Sequence, residues 1–200
     1  MDLKHARVGF ALTGSFCTLQ KTLSVMQALK QSGAVLYPIL SDSVADWDTK
    51  FGEASVWRDR ITAVCGRAPV TTVVGAEPIG PGKLLDLLII APCTGNTLGK
   101  LSHGITDTAP TMAAKAHLRN GRPVLIAPST NDGLAASAEN IGRLMNRKHI
   151  YFVPFYQDDP ANKKTSLVFD SGAFMEAARL ALMGEQMMPV LLQKPDSQGI

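Results

Sequence analysis

A chain of 200 residues, 46% apolar and 18% charged, has the length and composition of a single folded domain and not of a disordered one. Its net charge of +3 comes without a long basic run, which gives no footing for nucleic acid or a membrane surface. Cys17, Cys65 and Cys93 are too scattered for a disulfide framework or a zinc spacing, and no apolar run has the length of a signal peptide or a membrane span, so the chain reads as cytoplasmic.

Val8 to Leu12 is a first strand, ending at Thr13-Gly14-Ser15. Residues 18 to 32 place Leu19, Leu23, Met26 and Leu29 at helical spacing, and Gly33 closes that helix. Val35 to Leu40 is a second strand, ending at Ser41-Asp42-Ser43. Residues 44 to 64 are expected to form one helix with Val44, Trp47, Phe51 and Ile61 facing inward. Val70 to Val74 is expected as a third strand, followed by a turn-rich link through Pro78, Gly80, Pro81 and Gly82. Leu87 to Ala91 is an unbroken apolar run, as in a strand buried on both faces. Residues 95 to 119 read as helix interrupted between Asp107 and Pro110, with Asp107 as the cap. Pro123 to Ala127 is a fifth strand, ending at Pro128-Ser129-Thr130-Asn131. A helix at 133 to 146, a short strand at 150 to 153, a polar loop from Gln157 to Thr165 and a helix at 171 to 184 follow. The tail after residue 186, above all from Lys194, is expected to be mobile, and residues 1 to 200 read as one domain without repeats.

Strands alternating with helices predict a three-layer α/β fold, a parallel sheet with helices on both faces. Such sheets bind ligands outside the carboxyl ends of the strands, where the strand order switches. Four loops at those ends are small and rich in hydroxyls and amides: 13 to 15, 41 to 43, 92 to 97 and 128 to 131. Gly14 permits close backbone approach and Ser15 supplies a donor, which suits a phosphate; a plain turn with a capping serine explains the loop equally well. Neither a G-x-G-x-x-G fingerprint nor a P-loop lysine pattern is present. Asn96 and Asn131 each end a strand-terminal loop and are placed to face one ligand from two sides, although helix capping accounts for each taken singly. Cys93 has no adjacent histidine to activate it and reads as a small filler beneath a pocket. His103, His117 and the methionine-rich helices read as packing or interface surface. Lys163 and Lys164, on the late polar loop, are placed to close over an acidic substrate; a solvated loop is the bland alternative.

The segment APCTGNTLGKLSHGITD, residues 91 to 107, resembles a signature of the flavin-containing cysteine decarboxylase superfamily, matched at Pro92, Asn96, Thr97, Lys100, Gly104, Ile105 and Asp107. SDSVADWDTKF, residues 41 to 51, is similar to a second segment of that superfamily, and Ala127 to Asn131 stands where it has A-P-A-M-N. The resemblance covers roughly residues 6 to 155. It implies a flavodoxin-like, Rossmann-like fold, a homo-oligomer, trimer or dodecamer, and FMN bound between subunits. Residue by residue, it implies that Gly14 and Ser15 hold the FMN phosphate, that Ser41 contacts the cofactor, that Pro92, Thr94, Asn96 and Thr97 line the flavin, and that Asn131 faces the substrate.

One departure bears on the reaction. Decarboxylases of the superfamily carry a His-Ile pair shortly before the fourth strand; here Pro78-Ile79 stands there, and no histidine lies between His5 and His103. Asp132 follows Asn131, where it would repel a carboxylate. A narrower likeness along the whole chain, carried by TGSFCT, APSTNDGL and QDDPANKKTSLVFD, implies instead a subunit of an oxidising enzyme. It implies a nucleotide-binding partner subunit that can bring NAD(P), and a small dicarboxylate substrate that becomes aromatic; such a substrate needs cationic or N–H donors, for which Lys163, Lys164, Asn131 and the helix N-termini near Ser15 and Asn96 are the candidates. A cysteine decarboxylase-like enzyme, or a partner without catalysis of its own, are the alternatives.

Overall fold

Leu87 to Cys93 is buried at every position, so the sheet must be covered on both faces there. In the computed structural model, which describes residues 2–193, this strand, β3, lies at the centre of the sheet. It pairs in parallel with β1 (Arg7–Leu12) on one side and with β4 (Val124–Thr130) on the other. β1 pairs in parallel with β2 (Val35–Leu40), and β4 with β5 (Ile150–Phe152). The parallel order is therefore β2-β1-β3-β4-β5, the flavodoxin-like arrangement, with its switch point between β1 and β3.

The period of two along each strand sends alternate side chains to two cores. Phe10, Leu12, Leu87 and Ile89 face one, closed by α1 (Leu19–Gln31), α3 (Ala54–Cys65) and α8 (Phe174–Leu182). Leu88, Ile90 and Ile126 face the other, closed by α5 (Gly95–His103), α6 (Ala109–Leu118) and α7 (Ala136–Met145). Leu19, Leu23, Met26 and Leu29 form the buried stripe of α1, as their spacing requires, and Gly33 leaves the helix at φ +90°.

Three expectations need correction. Residues 44 to 64 do not form one helix: α2 (Asp42–Asp46) and α3 are separated by a turn in which Thr49 and Gly52 exchange backbone hydrogen bonds. Asp48 Oδ1 accepts from Ala54 N at 2.9 Å, so a side-chain cap starts a new helix where the apolar spacing suggested continuity. Trp57 takes the inward position, and Trp47 and Phe51 are 61% and 43% exposed. Val70 to Val74 is not a strand: only Val70 bridges β2, and Thr72 then caps α4 (Val73–Ala76) by accepting from Gly75 N at 3.0 Å. Asp107 is not the cap of α6: Thr108 forms a capping box with Thr111, and Asp107 pairs with Lys100.

Two short strands escaped the sequence reading. β6 (Phe155–Tyr156) and β7 (Leu167–Phe169) pair antiparallel, and β7 runs antiparallel to Ser129 and Thr130 at the end of β4. They anchor both ends of the polar loop 157–166 over the carboxyl edge of the sheet. The following segment is fastened too: Gln186 exchanges two hydrogen bonds with Phe152, and Leu192 N donates to Phe155 O. The rest of the expected mobile tail, 194–200, lies outside the described residues.

The amino end of the sheet is closed by polar contacts. Asp86 accepts from Arg7 N, Nε and NH2 at 2.9, 3.1 and 2.7 Å and from Arg122 at 3.2 Å. The Arg7 hydrogen bond holds its carboxyl below the usual carboxylate range. His117, expected at an interface, is instead 1% exposed within the chain. Its Nε2 lies 3.0 Å from Pro123 O; a carbonyl only accepts, so Nε2 carries the proton. Burial pushes the His117 pKa down to about 4. No helix among the described residues is long and apolar enough to cross a membrane.

Candidate functional site

At the switch point the loops after β1 and β3 diverge, and Thr13 ties them together. Its buried Oγ1 donates to Pro92 O at 2.7 Å and accepts from Thr94 N at 3.0 Å. Gly14 follows, packed so closely on the loop after β2 that an added Cβ would sit 2.7 Å from Ser43 Oγ. Two clefts open on either side of Gly14, Phe16 and Thr94.

The first cleft, about 360 Å³, lies between the loops after β1, β2 and β3. Gly14, Ser41, Thr94, Asn96 and Thr97 line it, five of the seven residues expected to hold a cofactor. Thr94, not Asn96, caps α5, accepting from Thr97 N at 3.3 Å. The Asn96 side chain is left exposed at the cleft, beside N–H groups that the first turn of a helix cannot use internally. The cation in this cleft, Lys100, is bonded to Asp107 at 2.8 Å, which holds the Asp107 carboxyl below its usual range, and Asp42 adds a carboxylate. The cleft is thus built mainly of neutral donors, with the exposed Trp47 indole on its wall.

The second cleft, about 370 Å³, lies between the loops after β1 and β4, the turn before α3 and the loop 157–166. Ser15 faces this cleft, its hydroxyl 2.8 Å from that of Ser129, which also lies 3.2 Å from Thr18 Oγ1. Asn131 and Lys163 line it as well. Lys163 Nζ donates to Asp158 Oδ2 at 3.3 Å, and that contact raises the lysine pKa. The other oxygen, Asp158 Oδ1, is buried and makes no well-aligned hydrogen bond among the described residues; burial works against its charge, but the Ser166 hydroxyl and Lys163 hold the Asp158 carboxyl below its usual range.

The structure therefore parts some residues that the sequence reading joined. Asn96 and Asn131 line different clefts rather than one. Pro92 is buried within β3 and lines neither, its carbonyl spent on Thr13. Lys164 lines neither, although its carbonyl accepts from Gln157. Asp132 does not face the second cleft: its Oδ1 takes Ser137 Oγ at 3.0 Å and Thr130 Oγ1 at 2.5 Å beneath Gly95, where a Cβ would come within 2.6 Å of it. Cys93 is fully buried and desolvation pushes its thiol pKa up, so it packs as a small apolar side chain and is no nucleophile. Lys50 and Phe51 of the second cleft, and Asp158, were missed. Reading 44 to 64 as one helix turned that turn inward, and only the tertiary fold brings residues 50 and 158 to one cleft.

The flavoprotein family profile matches residues 1–179. The chain is 41% identical over 192 residues to the B subunit of dipicolinate synthase of Bacillus subtilis (strain 168), covering 96% of each chain. The solved structure of the dipicolinate synthase B subunit from Bacillus halodurans C superposes with a TM-score of 0.89 at 45% identity, covering 98% of this chain and all of that one (100%). The FMN-dependent cysteine decarboxylase SpaF shares the fold, with a TM-score of 0.67 at 23% identity over 90% of this chain and 99% of SpaF. The chain belongs to the flavoprotein family and, within it, to the enzyme subunits of the dipicolinate synthase B type.

Proposed function

We propose that the chain binds FMN at the β1/β3 switch and works with the A subunit of dipicolinate synthase to oxidise a dihydrodipicolinate-type precursor to pyridine-2,6-dicarboxylate, in the mother cell of a sporulating bacterium. The observation that carries this reading is the cleft of neutral donors at the switch point of a β2-β1-β3-β4-β5 sheet, the place where such sheets hold a flavin nucleotide. Its residues fit the group: Gly14 allows backbone approach, Ser41, Thr94 and Thr97 bring hydroxyls, and Asn96 and the first N–H groups of α5 offer further donors. FMN bound there supplies a two-electron acceptor for a ring carbon. Relatives described as FMN-dependent or FMN-binding share the fold.

The second cleft adjoins the first through Gly14, Phe16 and Thr94, and it takes the substrate. Asn131 orients the ring from the end of β4, and Lys163 meets a carboxylate from the loop 157–166. Any nicotinamide, NAD(P), enters through the A subunit. Trp47 and Phe51 stand exposed at the two clefts, and a homo-oligomer, trimer or dodecamer, covers them and excludes water from the site.

Decarboxylation of a cysteinyl substrate is not expected. Pro78, which stands in place of the superfamily histidine, lines neither cleft; its 3-10 turn is held to the end of α6 by Asn120 Nδ2 donating to Gly80 O at 2.8 Å. The test is purification with and without the A subunit, visible spectra of the chain, and ultraviolet detection of pyridine-2,6-dicarboxylate beside a carbon dioxide assay on cysteinyl substrates. Flavin absorbance with the chain and dicarboxylate formation that needs both proteins are the expected results. Full synthesis by the A subunit on its own, or carbon dioxide from the chain, overturns the reading.

A further inference from the structure

Lys50 is the cation of the second cleft that the sequence reading passed over, and its setting differs from that of Lys163. Lys163 is already matched to Asp158. Lys50 has no acidic partner within salt-bridge distance among the described residues; its Nζ lies 5.3 Å from the centroid of its neighbour, the Phe51 ring. The two lysines enter the cleft from different segments, the turn between α2 and α3 and the loop between β6 and β7. The hydroxyls of Ser15, Thr18 and Ser129 share the same cleft.

We propose that Lys50 and Phe51 form the element of this cleft that selects a small ring dicarboxylate over a monocarboxylate, with Lys50 meeting the carboxylate that Lys163 does not. A flat ring needs an aromatic or apolar face, and Phe51 offers one, 43% exposed, with the ammonium that meets the anion held over the same side chain. A second carboxylate needs a second cation not already neutralised, and Lys50 is that cation. The assignment rests on the proposed substrate cleft but not on FMN.

The test uses the full chain, with and without FMN and the A subunit, and two probes: pyridine-2,6-dicarboxylate and pyridine-2-carboxylate. Calorimetric titration at low salt should show the diacid binding about tenfold more tightly than the monoacid, with the preference shrinking as salt rises. Lys50→Met should abolish that preference while leaving monoacid affinity within about twofold, and Lys50→Arg should restore most of it. Phe51→Ala should weaken both acids alike, by several fold. A Lys50→Met variant with the same diacid preference as the unaltered chain overturns the inference, and so does an unaltered chain that prefers neither acid. Loss of FMN binding with a Lys50-dependent preference intact would defeat the cofactor reading alone.

Discussion

The two ends of the sheet treat their polar groups differently. At the amino end, Asp86 receives hydrogen bonds from Arg7 and Arg122, His117 is bonded to Pro123 O, and Asn120 to Gly80 O. Each group is matched within the chain. At the carboxyl end, hydroxyls mostly meet other hydroxyls, Asn96 projects without a cap to make, and Lys50 has no acidic partner among the described residues. Polar groups satisfied internally add stability, whereas groups left available are held for a ligand. A ligand site is thus visible as the end of the sheet where the hydrogen-bond inventory does not close.

The sharpest way to break this comparison is to exchange the outcomes of changes at the two ends. Gly14→Val at the carboxyl end drives a side chain into Ser43 and should weaken flavin binding by about a hundredfold, roughly 3 kcal/mol, read by fluorescence quenching. The clash should also cost some stability, less than the loss of flavin affinity because it meets the end of the Ser43 side chain at a half-buried loop. Asp86→Ala at the amino end should do the reverse: a loss of about 2 kcal/mol in urea unfolding, with flavin affinity unchanged. If Asp86→Ala abolishes flavin binding in the folded protein, the division between the two ends does not hold.

A pH series sharpens the same division. His117 is held neutral in the folded chain, with a pKa of about 4 against 6.5 ordinarily. The unfolded chain therefore takes up a proton first as pH falls, and the stability owed to this group is present above pH 6.5 and lost as pH drops towards 4. Between pH 7 and pH 5 the loss should be about 2 kcal/mol. His117→Gln should be less stable at pH 7 but should lack this part of the slope. An identical slope in both proteins would remove His117 as the cause. The smallest effect belongs to Asn96→Leu, which should weaken flavin binding about tenfold, roughly 1.4 kcal/mol, with unfolding unchanged because the side chain is exposed.

The sequence by itself located the central elements. Val8 to Leu12 and Leu87 to Ala91 carry small or apolar residues at consecutive positions, as inner strands of a sheet covered on both faces do, and Val35 to Leu40, interrupted by Tyr37 and Pro38, is the edge strand beside them. The spacing of Leu19, Leu23, Met26 and Leu29 placed α1 for an equally local reason. The small polar loops after those strands marked the ligand end of the sheet, and residues 91 to 107 carried the family. Tertiary structure decided what local pattern cannot express. Val70 to Val74 has strand-like residues, but a threonine cap and Gly75 make it a helix start. Trp47 and Phe51 fit a helical stripe, yet Trp57 occupies the core and leaves them at the clefts. β6 and β7 are too short to show a period; β7 forms against the end of β4, and β6 forms against β7. Periodicity reports which face of a segment is apolar but not which partner covers it, so the split of the loops into two clefts, and the sharing of one of them by Lys50, Asp158 and Lys163, came only from the fold.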